Sequence, residues 1–194
     1  MSVTPSTMLP LGTRAPDFEL VDAVSGKKMS LHTLKSNQAT VIMFISNHCP
    51  YVVHLQKALV DIANEYQQKD IVFVAICSND IENYPADAPD KMKTVAKQLG
   101  YPFPYLFDET QTVARAYDAA CTPDFYIFDK NLACVYRGRF DDSSPGKKEV
   151  PVTGKDLRAA LEAILAGNPV DSHQKPSHGC NIKWKTKECT QINR

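Results

Sequence analysis

Six cysteines stand in a chain of 194 residues, and one of them has the setting of a nucleophile. Cys49 lies in Asn47-His48-Cys49-Pro50-Tyr51, between an apolar run at 40–46 and a segment of helical spacing that begins at Pro50. A thiol at a strand-to-helix junction meets unpaired backbone N–H groups and the positive end of the helix dipole. Both favour the thiolate, which is the nucleophilic form of cysteine. Pro50 is accommodated at the first helical position, because the N–H it lacks would be unpaired there in any case. His48 either gives Cys49 a positive neighbour or faces solvent from the loop, and the sequence leaves both readings open. The plain alternative for Cys49 is a small buried hydrophobe, against which its position and neighbours argue.

The other cysteines divide by context. Cys121 sits in Ala120-Cys121-Thr122-Pro123-Asp124, just ahead of an apolar strand at 125–128. For it, a packed small residue and a second redox thiol weigh about equally. Cys77 ends an apolar run that starts at Ile71, and Cys134 lies inside another, so both read as core. Cys180 follows Gly179 in a stretch poor in core formers, and Cys189 lies in a lysine-rich terminus. A metal site would have to collect His173, His178, Cys180 and Cys189, whose spacing matches no compact zinc pattern. No metal and no bound cofactor are therefore expected. His54 follows Cys49 by five residues, which on a helix turns it about 140° away and makes it a surface histidine.

The elements that must position Cys49 are legible from periodicity. Residues 40–46 are β-branched and apolar on both faces, as a buried central strand requires. Val52, Leu55, Leu59, Ile62, Ala63 and Tyr66 then form one helical stripe, and residues 71–76 repeat the buried-strand pattern. This is a βαβ unit with a right-handed crossover. Ahead of it, residues 18–21 and 29–31 form a hairpin about a turn at Ser25-Gly26-Lys27. Residues 78–90 carry Asp80, Glu82, Asp87 and Asp90 with no basic residue and read as an exposed loop. A helix over 89–99 stopped by Gly100 follows, then a short strand at 105–107 and a short helix at 110–117. Two strands, 125–128 and 133–137, are joined at Asp129-Lys130-Asn131, and a last amphipathic helix covers 154–165. The expected organisation is a domain over 1–167 and an irregular C-terminal tail over 168–194.

Composition bounds the rest. With 43% hydrophobic and 23% charged residues, the chain has the make-up of a soluble globular protein. Its 22 basic and 22 acidic residues cancel, which argues against a nucleic-acid or anionic-membrane binder. The apolar runs are strand-length and too short to span a bilayer, and the first twenty residues hold no signal-peptide core. The expected compartment is the reducing cytoplasm, where a reactive thiol is favoured over a structural disulfide. The segment from His173 has five basic residues against Glu188 alone and reads as a solvated or wrapping end.

At Thr122-Pro123 the chain resembles the thioredoxin-like fold, in which a cis-proline before a strand sits against the redox cysteine. The resemblance covers residues 10–167 as an ordered series of elements. It implies an α/β fold with a central mixed sheet flanked by helices and an N-terminal hairpin extension. It also implies that Thr122, Pro123 and Cys121 share one rim with Cys49. Within that superfamily, Gly12-Thr13-Arg14-Ala15-Pro16-Asp17-Phe18 resembles the lead-in of the AhpC/TSA, or peroxiredoxin-like, branch. More narrowly, the segments at 47–52, 120–125, 136–142 and 179–184 resemble a bacterial thioredoxin family group with an Asn-His-Cys-Pro-Tyr-Val active-site segment.

Two departures separate the chain from its better-known relatives. A Cys-x-x-Cys pair would need cysteine where Val52 stands. The peroxiredoxin pattern expects proline seven residues before the cysteine and serine or threonine three before it, and here those positions hold Ile42 and Ser46. The arginine that such enzymes use has three candidates, Arg115, Arg137 and Arg139. The resemblance thus implies a thiol-dependent oxidoreductase with an antioxidant role, its Cys49 attacking peroxide or a protein or small-molecule disulfide. Cys121 ranks first and Cys180 second as the resolving thiol. His48, Pro50, Thr122 and Pro123 would face the substrate, and a reductant such as thioredoxin would close the cycle. The missing cysteine at 52 supports the alternative of a non-catalytic binding or redox-sensing module.

Overall fold

A computed structural model of the chain describes residues 3–147 and 149–186. In chain order the elements are β1 (Val3–Pro5), β2 (Glu19–Asp22), β3 (Lys28–Ser30), α1 (Leu31–Leu34), β4 (Ala39–Phe44), α2 (Pro50–Gln67) and β5 (Ile71–Cys77). They continue with a 3-10 turn (Pro85–Asp87), α3 (Pro89–Leu99), β6 (Tyr105–Phe107), α4 (Thr112–Ala116), β7 (Cys121–Thr122), β8 (Asp124–Asp129), β9 (Cys134–Gly138), α5 (Lys155–Leu165) and β10 (His178–Asn181).

Seven strands form a mixed sheet in the order β3-β2-β6-β5-β4-β8-β9. β4 is central because all six of its residues are apolar or β-branched and all are buried. It pairs in parallel with β5 and antiparallel with β8, with Phe44 opposite Ile76 on one side and Asp124 on the other. The β4–α2–β5 crossover carries the chain over one face of the sheet. There Val52, Leu55, Leu59, Ile62, Ala63 and Tyr66 of α2 are buried, the same stripe that the 3.6-residue period picks out. Val41, Met43 and Phe73 pack on that face, while Ile42, Phe44, Val74 and Tyr126 enter a second core on the opposite face with Tyr117 and Phe128. Gly100 ends α3 in the left-handed conformation at φ 63°, where glycine carries no Cβ penalty.

The hairpin and the mixed sheet match expectation, and two segments differ from it. Residues 78–90 are not a wholly exposed loop: Ser78, Asn79, Asp80 and Asp87 are buried, Asp87 completely. Their polar groups are met by long-range partners, as when Asn79 accepts from the Lys183 N–H at 2.8 Å. The segment beyond 168 is also not irregular throughout. It supplies β10, which lies between β1 and β7 in a second, three-stranded antiparallel sheet.

Candidate active site

Cys49 is the N-cap of α2, with Pro50 at the first helical position. Its backbone N–H donates to Ser46 Oγ at 3.2 Å, and its C=O accepts from the N–H groups of Val52 and Val53 at 2.9 Å. The helix therefore starts at the cysteine, which puts its thiol beside the positive end of eighteen residues of aligned peptide dipoles. The Sγ–H donates to the carbonyl of Thr122 at 3.0 Å. The Thr122–Pro123 peptide bond is cis. Cys49 is 0% exposed, so a reactant meets it only where its cover admits one.

That cover is β10. Cys180 stands opposite Thr122 in register, and Asn181 opposite Cys121. The Cys180 side chain hydrogen-bonds with Cys49; burial, followed by this bond, pushes its thiol up to about 12. Cys121 is buried in the same cluster. Burial raises its thiol far above the ordinary range, and the nearby Asp124, Cys49 and Cys180 add to the effect. Its Sγ contacts the Pro123 carbonyl at 3.7 Å. Asp124 completes the group from the start of β8. One carboxylate oxygen accepts from the Tyr126 hydroxyl at 2.9 Å, and the other is buried without a partner. Burial pushes the Asp124 carboxyl up to about 8.

His48 faces away from this cluster toward the 78–90 segment. Its Nδ1 is 2.8 Å from Asp87 Oδ2, without the alignment of a hydrogen bond, and its ring stacks on Tyr84 with centroids 5.7 Å apart. Asp87 is also held by the Asn47 N–H and by Asn79 Nδ2, each at 2.7 Å. Beside Cys49, a cleft of about 360 Å³ is lined by Tyr51, His54, Pro123, Arg139, Asp141 and His178. His54 thus borders the cleft rather than open surface, and its Nε2 is 3.1 Å from Ser143 Oγ.

Of the residues the sequence singles out, Cys49, Thr122, Pro123, Cys121 and Cys180 come together, and Pro50 lies exposed at the helix start. Cys77 and Cys134 are buried in the core, where burial raises both thiols, and Cys189 lies outside the described residues. Two of the three arginines are engaged elsewhere, Arg115 over the Trp184 ring and Arg137 on Leu9 and Gln174, while Arg139 borders the cleft with its guanidinium paired to Asp156. Among the described residues no cluster could hold a metal ion. Sequence reasoning missed Asp87, whose acidic, proline-rich surroundings carry no local sign of burial. It also missed the close approach of Gly179 to the Thr122 carbonyl, although the Gly-Cys pair was a signal that could have found it.

No curated protein matches the chain. Among solved structures, an uncharacterised conserved protein from Geobacillus kaustophilus is 60% identical, with a TM-score of 0.94 over 95% of this chain and 97% of that one. A hypothetical protein from Sinorhizobium meliloti is 46% identical, with a TM-score of 0.91 over 94% and 99% of the two chains. At 19% identity, Peroxidoxin BcpB from Mycobacterium tuberculosis shares the fold alone, with a TM-score of 0.59 over 81% and 96%. The fold is thioredoxin-like, and no helix among the described residues is long and apolar enough to cross a membrane. The AhpC/TSA family profile matches residues 11–137, so that the lead-in, the Cys49 junction and the Thr122-Pro123 strand all fall within one match, and the chain belongs to the AhpC/TSA family.

Proposed function

We propose that the chain is a thiol-dependent oxidoreductase in which Cys49 is the nucleophile and Cys180 resolves the oxidised product. The observation that carries this reading is the position of Cys49: helix N-cap, bonded to the Thr122 carbonyl, with the Cys180 side chain in hydrogen-bond contact. With a peroxide, the Cys49 thiolate attacks one oxygen, the O–O bond breaks, and an alcohol or water leaves with the thiol's proton. Cys180 then attacks the resulting sulfenic acid; an S–S bond forms and water leaves. With a disulfide, Cys49 forms a mixed disulfide and expels one thiolate, and Cys180 expels the other. In both cases an external dithiol reduces the Cys49–Cys180 bond.

The hydrogen-bond contact supports Cys180 over Cys121 as the resolving thiol. Cys121 belongs to the same cluster, but its Sγ is directed to the Pro123 carbonyl. Backbone N–H groups at the start of α2 would stabilise negative charge as it develops on a leaving oxygen or sulfur. His48, held against Asp87 and stacked on Tyr84, fixes the loop that leads into Cys49. Thr122 and Pro123 fix the thiol's orientation, and Pro50 starts the helix without an unpaired N–H. A chemistry of this kind fits the reducing cytoplasm and an antioxidant role.

The test is turnover of hydrogen peroxide and of a small disulfide with dithiothreitol as electron donor. Cys49→Ser is expected to lower both rates by about a hundredfold or more. A folded Cys49→Ser protein that keeps both rates would eliminate the mechanism and leave a binding module.

A further inference from the structure

β7 presents beside Cys49 a backbone edge of the kind that takes up an extended chain, and β10 already occupies it. Cys180 pairs with Thr122 and Asn181 with Cys121, and the Ile182 N–H donates to the Ala120 carbonyl at 3.0 Å. The contact is closer than any side chain allows. A Cβ on Gly179 would lie 1.9 Å from the Thr122 oxygen, 2.7 Å from its carbonyl carbon and 3.2 Å from Pro123 N. Glycine is required there for approach, because only a residue without a side chain lets one backbone lie on another.

Both ends of β10 are fixed. On the N-terminal side the Ser177 N–H donates to Ser6 Oγ at 3.0 Å, and Ser177 Oγ donates to the Gly138 carbonyl at 2.6 Å. On the C-terminal side the Lys183 carbonyl accepts from the Asp80 N–H and from Gln111 Nε2, each at 2.8 Å. The Lys185 N–H donates to Gln111 Oε1 at 2.9 Å. β1 covers the remaining edge of β10, with Val3 opposite Cys180 and Thr4 opposite Gly179.

Polypeptides recognised in extended form add a strand to a free edge and draw their affinity from main-chain hydrogen bonds. Here that edge is taken, and the nucleophile beneath it is 0% exposed. We infer that Gly179, by seating β10 on Thr122-Pro123, is a specificity-determining residue that restricts Cys49 to small oxidants and excludes extended polypeptide disulfides. The inference rests on the reading of Cys49 as nucleophile. The substrate class it selects is peroxides and low-molecular-weight disulfides, which are small enough to enter the cleft that Tyr51 and Pro123 line.

The experiment compares two disulfides with dithiothreitol as donor: 2-hydroxyethyl disulfide as the small probe and insulin as the polypeptide one. The readout is the ratio of the insulin rate to the small-probe rate, each corrected for the rate of Cys49→Ser. In the parent protein that ratio is expected to be low, and Gly179→Val, which forces β10 off β7, is expected to raise it about tenfold or more. Ser177→Ala removes one anchor without a clash. It serves if Gly179→Val loses its circular dichroism signature, with an expected rise of about threefold. A parent protein that reduces insulin as readily as the small disulfide overturns the inference. So do folded variants whose ratio is unchanged. If Cys49→Ser turns over both probes at the parent rates, the reading of Cys49 fails instead, and the two failures are distinguished.

Discussion

Asp124 is wholly buried with one carboxylate oxygen unpartnered, and its carboxyl is pushed up to about 8 because burial penalises the charge. In the unfolded chain the same group ionises near the ordinary value of 3.8. Between those two values the folded protein binds the proton that the unfolded chain has released, so stability falls as pH rises. The contribution of the neutral carboxyl is fully present below pH 4 and is lost as pH climbs through about 8. Asp124→Asn removes the titration. It is expected to flatten the pH dependence of the urea midpoint and to gain on the parent by a few kcal/mol between pH 5 and about 9. An equal loss of stability by both proteins over that range would show that Asp124 is not the group responsible. At this scale the setting of Cys49 was legible from its immediate neighbours, a strand before and a helix after, whereas the approach of Thr122-Pro123 followed only from the resemblance in fold. Asp87 was legible in neither way. Its burial depends on Asn47 and Asn79, and Asn79 is in turn held by Lys183, more than a hundred residues along the chain.

The elements divide by length. β4, β5, β8 and the α2 stripe were readable because six or more residues carry a pattern that local sequence cannot hide. β1, β7 and β10 have three, two and four residues, include Pro5 and Gly179, and form because β10 supplies hydrogen-bond partners to both β1 and β7. No window on the sequence could show that pairing. It is nevertheless what supports the proposed role of Cys180: a strand holds it against Cys49. If β10 acts in this way, one equivalent of peroxide is expected to give a Cys49–Cys180 disulfide by mass-spectrometric mapping. Cys180→Ser, a near-isosteric change at a buried site, is expected to leave Cys49 as a sulfenic acid that dimedone captures. A Cys49–Cys121 bond in the parent protein would return the role to Cys121.

For the molecule as a whole, β10 joins the two cores. Cys180 belongs to the cluster on the α2 face, and Ile182, two residues on, belongs to the cluster on the other face, with Trp184 packed against it. The same segment satisfies the Asn79 side chain, the Asp80 and Arg139 N–H groups and both ends of the Gln111 amide. The acidic loop and residues 173–186 are thus parts of one packed unit, and we propose that the domain extends through residue 186. A chain ending at Gly167 would expose buried Ile182 contacts and strand several buried polar groups. At about 1 kcal/mol for each of these lost hydrogen bonds and about 2 kcal/mol for the apolar side chain, the expected loss is about 7 kcal/mol. That is comparable to the whole stability of many domains. Urea unfolding followed by circular dichroism is the direct measurement, because Trp184, the single tryptophan, is lost on truncation. In the full chain Trp184 lies under Arg115, with the guanidinium 4.3 Å from the ring centre, so its fluorescence reports release of the segment. The emission change should coincide with the circular dichroism transition if the segment is integral. An earlier emission change, together with an unaltered midpoint in the shortened chain, would make 168–186 an appended tail and return the boundary to 167.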